Sequence, residues 1–188
     1  MSNATTTAPG STPRTVTPAH IARMIRVDQA GEYGATRIYA GQLAVMGNRA
    51  RDAAEIAGMA EQEAAHRAQF DALMARRGVR PTLLQPFWDK AGFALGAVTA
   101  LIGPDAAMAC TAAVETEIDK HYSDQLDELE ATNEDPELAA MIEAFREDER
   151  EHRDAALAAG AERAFGYPVL SGLIRLGCKV AIKVSERI

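Results

Sequence analysis

Leu138–Ala156 reads Leu-Ala-Ala-Met-Ile-Glu-Ala-Phe-Arg-Glu-Asp-Glu-Arg-Glu-His-Arg-Asp-Ala-Ala. Steps of four and three along it land on Leu138, Ile142, Phe145, Glu149, His152 and Ala156. Residues spaced this way share one helical face, the face that packs in a bundle. This face is apolar at both ends and carries a carboxylate and an imidazole in its middle. That is the wrong chemistry for a dry core.

The same walk succeeds three more times. It gives Ile21, Ile25, Asp28, Glu32, Ala35 and Tyr39; then Ile56, Met59, Glu63, His66, Phe70 and Leu73; then Met108, Thr111, Glu115, Ile118, Tyr122, Gln125 and Leu129. The order is therefore Glu, Glu-x-x-His, Glu, Glu-x-x-His, two similar helix pairs that predict a pseudo-twofold site between them. Four buried, unpaired carboxylates would be prohibitively costly or would protonate. Two divalent cations would cancel their charge, and a donor set of carboxylate oxygens with imidazole suits borderline transition metals better than Mg²⁺ or Ca²⁺ alone. A single Glu-x-x-His is common on solvated helices. Here there are only four histidines, and two of them complete the motif on an apolar seam.

The rest of the chain is consistent with helices. In 188 residues there are 38 alanines and 5% aromatics, a composition that favours helix over sheet. Thr17-Pro18 reads as a helix start and Gly47-Asn48 as its stop; a second helix runs from about Arg51 to Arg77 with Gly78 beyond it. A Pro- and Gly-containing apolar stretch, 81–103, separates this pair from helices opened by Pro104-Asp105 and Asp135-Pro136, the latter ended by Gly160. Pro168 begins a last helix. Residues 1–17, rich in Thr, Ser, Pro and Gly, read as a disordered arm before a domain spanning 18–188. The net charge of −7 argues against a nucleic-acid footprint. Two distant cysteines give no disulfide framework and fit a reducing compartment.

Other acids and histidines take lesser parts. Glu55, Glu61, Asp71, Glu147 and Glu151 fall off the seams. Asp28 lies on one, in an outer role or paired with Arg23 or Arg26. Asp148, four residues before His152, is placed to orient a ligating imidazole. His20 and His121, with no Glu three residues upstream, read as surface or pocket histidines.

One Glu from each of two helices and Glu-x-x-His from each of the others resembles the ferritin-like di-iron carboxylate bundles. More narrowly, Val27-Asp-Gln-Ala-Gly-Glu-Tyr-Gly-Ala35, Arg37-Ile-Tyr-Ala-Gly-Gln42, Cys110-Thr-Ala-Ala-Val-Glu115 with His121-Tyr122, and the closing Val180-Ala-Ile and Ser185-Glu-Arg-Ile188 resemble the demethoxyubiquinone hydroxylases of ubiquinone biosynthesis, from about Pro18 to the end. The resemblance implies an all-α, ferritin-like four-helix bundle with additional membrane-associating helical segments. It implies two irons held by Glu32, Glu63, His66, Glu115, Glu149 and His152, with Glu63 and Glu149 bridging. It also implies O2 as co-substrate and NADH as reductant, and a polyprenyl quinol as substrate. Arg23, Tyr122 and Lys179 fall where the family places residues near the quinone and the reductant path, although position 179 departs from the expected arginine. A lipid-binding accessory protein and self-association are further implied partners.

A membrane-surface role has independent support. Residues 166–188 place Arg175, Lys179, Lys183 and Arg187 one every four residues against a stripe of Val169, Leu173, Leu176, Val180 and Val184. Such a basic amphipathic helix can lie on an anionic membrane. Phe87, Trp88, Phe93 and Leu95 add greasy surface, and Gly31, Gly34 and Ala35 beside Glu32 would let a ring approach closely. The longest apolar run, Ala91–Gly103, is too short to span a bilayer. The expected location is peripheral, on the cytoplasmic face of a bacterial cell membrane or the matrix side of the mitochondrial inner membrane. The rival readings are an iron-oxidising or storage bundle and a quinone-binding protein without catalysis.

Overall fold

In the computed structural model, which describes residues 17–47 and 50–187, every seam closes into a helix. The elements are α1 (Ala19–Met46), α2 (Ala53–Arg77), α3 (Gln85–Ile102), α4 (Pro104–Thr132), α5 (Pro136–Ala159), a 3-10 turn (Ala161–Arg163) and α6 (Tyr167–Ser185). No strand occurs among the described residues. The arm expected over 1–17 lies, apart from Thr17, outside them.

Short connections make α1 antiparallel to α2 and α4 antiparallel to α5, and the two pairs meet across the seams. Every seam residue is buried except Ile118, which is half-buried. The core is layered accordingly. Ala35, Tyr39, Ile56, Met59, Met108 and Ala156 fill one end. Ile21, Ile25, Phe70, Leu73, Leu138 and Ile142 fill the other. The polar band lies between these two apolar plugs, which hold the pairs together and exclude water from it.

Helix ends follow their local chemistry, with two adjustments. Asp135 caps α5, its Oδ1 accepting from the Leu138 amide at 3.1 Å. Gly78, Asn133 and Gly160 terminate α2, α4 and α5 in the left-handed region. Thr17 does not cap α1; its hydroxyl donates instead to the Arg77 carbonyl at the end of α2, 3.3 Å away. The apolar stretch 81–103 holds an 18-residue helix, α3, although two of its residues, Gly92 and Gly96, are poor helix formers.

Those glycines are there for packing. α3 runs parallel to α1 so closely that a Cβ on Gly96 would collide with the Ile38 carbonyl oxygen, and one on Gly41 with that of Phe93. A Cβ on Gly92 would sit 3.0 Å from the Gly34 carbonyl oxygen. Helix α6 packs on α4 through Ile174 and Cys178, beside Cys110, Ala113 and Val114. No described helix is long and apolar enough to cross a membrane.

Candidate metal centre and adjoining cavity

The antiparallel register of α1 against α4 and of α2 against α5 brings six side chains to one place. Glu32, Glu63, His66 and Glu149 form one group of donor atoms within 4.8 Å of one another, and Glu63, Glu115, Glu149 and His152 form a second. Glu63 and Glu149 belong to both. His66 Nδ1 lies 3.5 Å from Glu149 Oε1 and 3.6 Å from Glu32 Oε2; His152 Nδ1 lies 3.2 Å from Glu63 Oε1 and 3.6 Å from Glu149 Oε2.

Hydrogen bonding sorts these atoms into satisfied and unsatisfied. Tyr122 donates to Glu32 Oε1, and Tyr39 donates to Glu115 Oε1 at 2.6 Å. Each of these two carboxylates therefore keeps one free oxygen. On the far side of the histidine rings, His66 Nε2 donates to Asp148 Oδ2 and His152 Nε2 to Gln62 Oε1, both at 2.9 Å. These bonds leave the Nδ1 lone pairs facing the carboxylates. In these six side chains the buried atoms without a partner are Glu32 Oε2, Glu115 Oε2, both oxygens of Glu63 and of Glu149, and the two Nδ1 atoms. That is one oxygen from each terminal carboxylate, two from each shared one, and one nitrogen from each histidine: four donors on each side.

Unpartnered buried polar atoms are expensive, and the electrostatics show the strain of this set without cations. Burial, reinforced by neighbouring carboxylates, holds Glu63 and Glu115 well above the usual carboxylate range. Burial also raises Glu149. The two histidines diverge. Burial alone would lower His66, but the facing carboxylates of Glu149 and Glu32 outweigh it and lift the ring to about 10. Burial prevails at His152, which is lowered. Two divalent cations fit these donors by charge, number and type.

Beside this centre, α1, α3, α4 and α6 line a half-open cavity of about 450 Å³. Its walls include Gly31, Gly34 and Ala35 flanking Glu32, Ile118 beyond Glu115, and Leu173 and Cys178 of α6. Nothing lies within 4 Å of where a Cβ on Gly31 or Gly34 would stand, so the missing side chains are open space. Trp88 Nε1 donates to Ser185 Oγ at 3.2 Å, tying α3 to α6 across one end of the cavity.

The chain matches the family described as ubiquinone biosynthesis protein COQ7 over residues 19–185. It is 55% identical over 170 residues to the 3-demethoxyubiquinol 3-hydroxylase of Rhodospirillum rubrum, covering 90% of this chain and 79% of that protein. The chain belongs to the COQ7 family. Against the human protein named NADPH-dependent 3-demethoxyubiquinone 3-hydroxylase, mitochondrial, identity is 49% over 183 residues, covering 95% of this chain and 83% of that one. Against the yeast mitochondrial 5-demethoxyubiquinone hydroxylase it is 44% over 184 residues, covering 90% and 79%.

The residues that the family resemblance put near quinone and reductant lie apart from the cavity wall. Tyr122 is buried against Glu32. Arg23 lines a separate polar cleft. Lys179, half-exposed on α6, points its Nζ to within 3.7 Å of the buried Glu117, which also accepts from Arg175 Nε at 2.5 Å.

Two expectations take a more particular form: Asp148 does orient an imidazole, and of the two parts open to Asp28 the arginine pairing does not form. Asp148 orients His66 of α2, not His152 of its own helix, because the two imidazoles approach from facing helices and each ring's outer nitrogen reaches across. Asp28 pairs with neither Arg23 nor Arg26; its Oδ1 is bonded to His121 Nε2 at 3.0 Å and accepts from Gln125 Nε2 at 2.9 Å. Tyr39, Gln62 and Glu117 were missed as functional residues. Only Tyr39 carried a signal, its place on the first seam next to Glu115 in the antiparallel register.

Proposed function

We propose that this chain is a di-iron monooxygenase that hydroxylates the ring of demethoxyubiquinol, 2-polyprenyl-6-methoxy-3-methyl-benzoquinol, with O2 in the penultimate step of ubiquinone biosynthesis. The observation that carries the reading is the set of unpartnered buried donors, four on each side of two shared carboxylates, against an apolar cavity. The names of the similar hydroxylases supply the substrate.

Glu32, His66, Glu115 and His152 would hold the two irons as terminal ligands, and Glu63 and Glu149 would bridge them. Bound iron supplies a route for electrons to O2, which a spin-paired quinol cannot readily use unaided. The chain's own residues do the rest. Tyr39 and Tyr122 fix the orientation of Glu115 and Glu32 through their hydroxyls. Asp148 and Gln62 fix the imidazole tautomers. Gly31 and Gly34 leave room for a ring, and the apolar wall keeps water from it.

A nicotinamide serves as electron source in this reading: NADH as the family resemblance implies, NADPH in the name of the human relative. On this reading Arg23, in its polar cleft, and Lys179, beside Glu117, would serve the quinone or reductant path. The exposed Phe87, Val98, Leu101 and Ile102 of α3 and Val169, Leu173, Leu176 and Val180 of α6 support peripheral attachment to a membrane in which the polyprenyl tail resides. That attachment is to the cytoplasmic face of the cell membrane in a bacterium, or the matrix side of the inner membrane in a mitochondrion. The same apolar faces suit a lipid-binding accessory protein or a second copy of the chain.

The test is anaerobic loading with Fe(II) and a short-tailed demethoxyubiquinol, then ¹⁸O2. One labelled oxygen in the ring product is expected, with about two irons per chain. Fe(II) oxidation with no organic product would overturn the reading in favour of iron handling. Full activity without stoichiometric metal would overturn the di-iron assignment.

A further inference from the structure

Hydroxylation by O2 balances only with protons: R–H + O2 + 2 e⁻ + 2 H⁺ gives R–OH + H2O. The apolar cavity is a poor source of them. Its one titratable lining group is Cys178, whose thiol burial pushes up to about 12. A second, smaller opening adjoins the first, the two sharing Val27 of α1 in their linings. It is a cleft of about 180 Å³ lined by Arg23, His121, Asp124, Gln125, Glu128 and Glu186. His121 lines it, its side chain 15% exposed, with Nε2 3.0 Å from Oδ1 of an Asp28 side chain that solvent does not reach.

Asp28 is an unusual carboxylate. No lysine or arginine pairs with it among the described residues, and its Oδ2 is buried with no hydrogen-bond partner. It lies one turn before Glu32 on the same face of α1, so the adjacent residues His121 and Tyr122 of α4 reach Asp28 and Glu32 respectively. A simple brace between α1 and α4 would need only Gln125, which already donates to the same Oδ1 at 2.9 Å. An imidazole between a polar cleft and a buried carboxylate adds the ability to pass a proton. Burial raises Asp28 above the usual carboxylate range, which suits it to carry one.

We propose that His121 and Asp28 form the proton inlet of the oxygen-activating site, fed from this cleft. Hydronium in the cleft protonates Nδ1 of His121 as Nε2 gives its proton to Asp28 Oδ1, which leaves water and the Nδ1–H tautomer of the ring. The Asp28 carboxyl turns to present that proton on the Glu32 side, where the reduction of O2 consumes it, and the ring regains its Nε2–H by proton exchange with the cleft before the next passage. Two such passages serve one turnover. The inference rests on the hydroxylase reading above, which ¹⁸O incorporation by the unaltered protein tests without touching His121.

His121→Gln keeps an amide donor for Asp28 but cannot relay. Its iron content, melting temperature and KM for the quinol should match the parent, while kcat falls ~100-fold, in the range for loss of a positioned acid–base group, and the solvent deuterium effect on kcat rises. In His121→Ala, added imidazole should restore kcat at least ~10-fold. In the metal-free protein, ¹⁵N spectra should show the His121 Nε2 hydrogen bond and its loss in Asp28→Leu. The inlet is overturned if His121→Gln stays within about twofold of parental kcat, if its activity falls only with lost iron, or if imidazole does not rescue His121→Ala.

Discussion

A histidine coordinates a metal well only when its other nitrogen is committed elsewhere. At His66 that partner is the carboxylate of Asp148, and at His152 it is the neutral amide oxygen of Gln62. A charged acceptor raises the basicity of the far nitrogen more than a neutral one does, so the two halves of the site are chemically unequal. Asp148→Ala is expected to weaken binding of one metal equivalent 10–100-fold, the usual range for an outer partner of a ligand. Gln62→Ala should weaken the other equivalent less. Titration of the metal-free variants with Fe(II) or Co(II) under anaerobic conditions would measure both. At the same scale, only His152 and Glu149 of the opening motif were readable as ligands. That Asp148 serves the opposite helix was not readable, because sequence spacing speaks to neighbours along a helix and not across a gap.

Single helices account for the cavity and its exposed rim. α3 lies on α1 through glycines rather than through interlocking side chains. Gly96→Val must push α3 off the Ile38 carbonyl. Such overpacking costs about 1–3 kcal/mol and should lower the melting temperature by several degrees in calorimetry. α6 turns Ile174 inward while Leu173 and Leu176 are about 60% exposed. If that rim inserts into lipid, each leucine contributes about 1.5–3 kcal/mol on burial. The double change Leu173→Asp and Leu176→Asp should then cut partitioning onto anionic vesicles by at least ~100-fold in sedimentation, with the fold unchanged by circular dichroism. The basic stripe of α6 was legible from its four-residue period. Its pairing with Glu117 was not, since a lone glutamate two places after Glu115 looks like a solvated residue until α6 is laid across it.

Across the molecule, two helix pairs are joined through a layer of like charge, and stability should follow the state of that layer. In the metal-free protein Glu63, Glu115 and Glu149 bind protons more tightly folded than unfolded, as does His66. A raised folded value means stability is present at low pH and lost as pH rises, for the glutamates above about 4.5 and for His66 from about 6.5 through about 10. His152, being lowered, acts in the opposite direction, and four groups outweigh one. The metal-free protein should therefore melt at a lower temperature at pH 8 than at pH 5.5, apart from general acid effects on surface ion pairs. Metal loading should reverse this trend, because cations displace those protons. Free metal at ~1,000 times its Kd adds about 4 kcal/mol per site, roughly 8–16 °C of melting temperature for a chain of this size. Scanning calorimetry at the two pH values, with and without metal, would check both signs.

The sequence by itself determined the four bundle helices and the six clustered residues, because a helix repeats every 3.6 residues and that period writes the buried face directly into the spacing of Ile, Leu, Glu and His. It also marked the glycines beside Glu32 as room for a ring. Tertiary structure alone decided what lies between helices. It made a full helix of residues 85–102 by docking Gly92 and Gly96 onto the backbone of α1, and it set Tyr39 against Glu115, Asp148 against His66 and His121 against Asp28. Those pairs are 76, 82 and 93 residues apart. No local pattern encodes such distances; the register of one packed helix against another does.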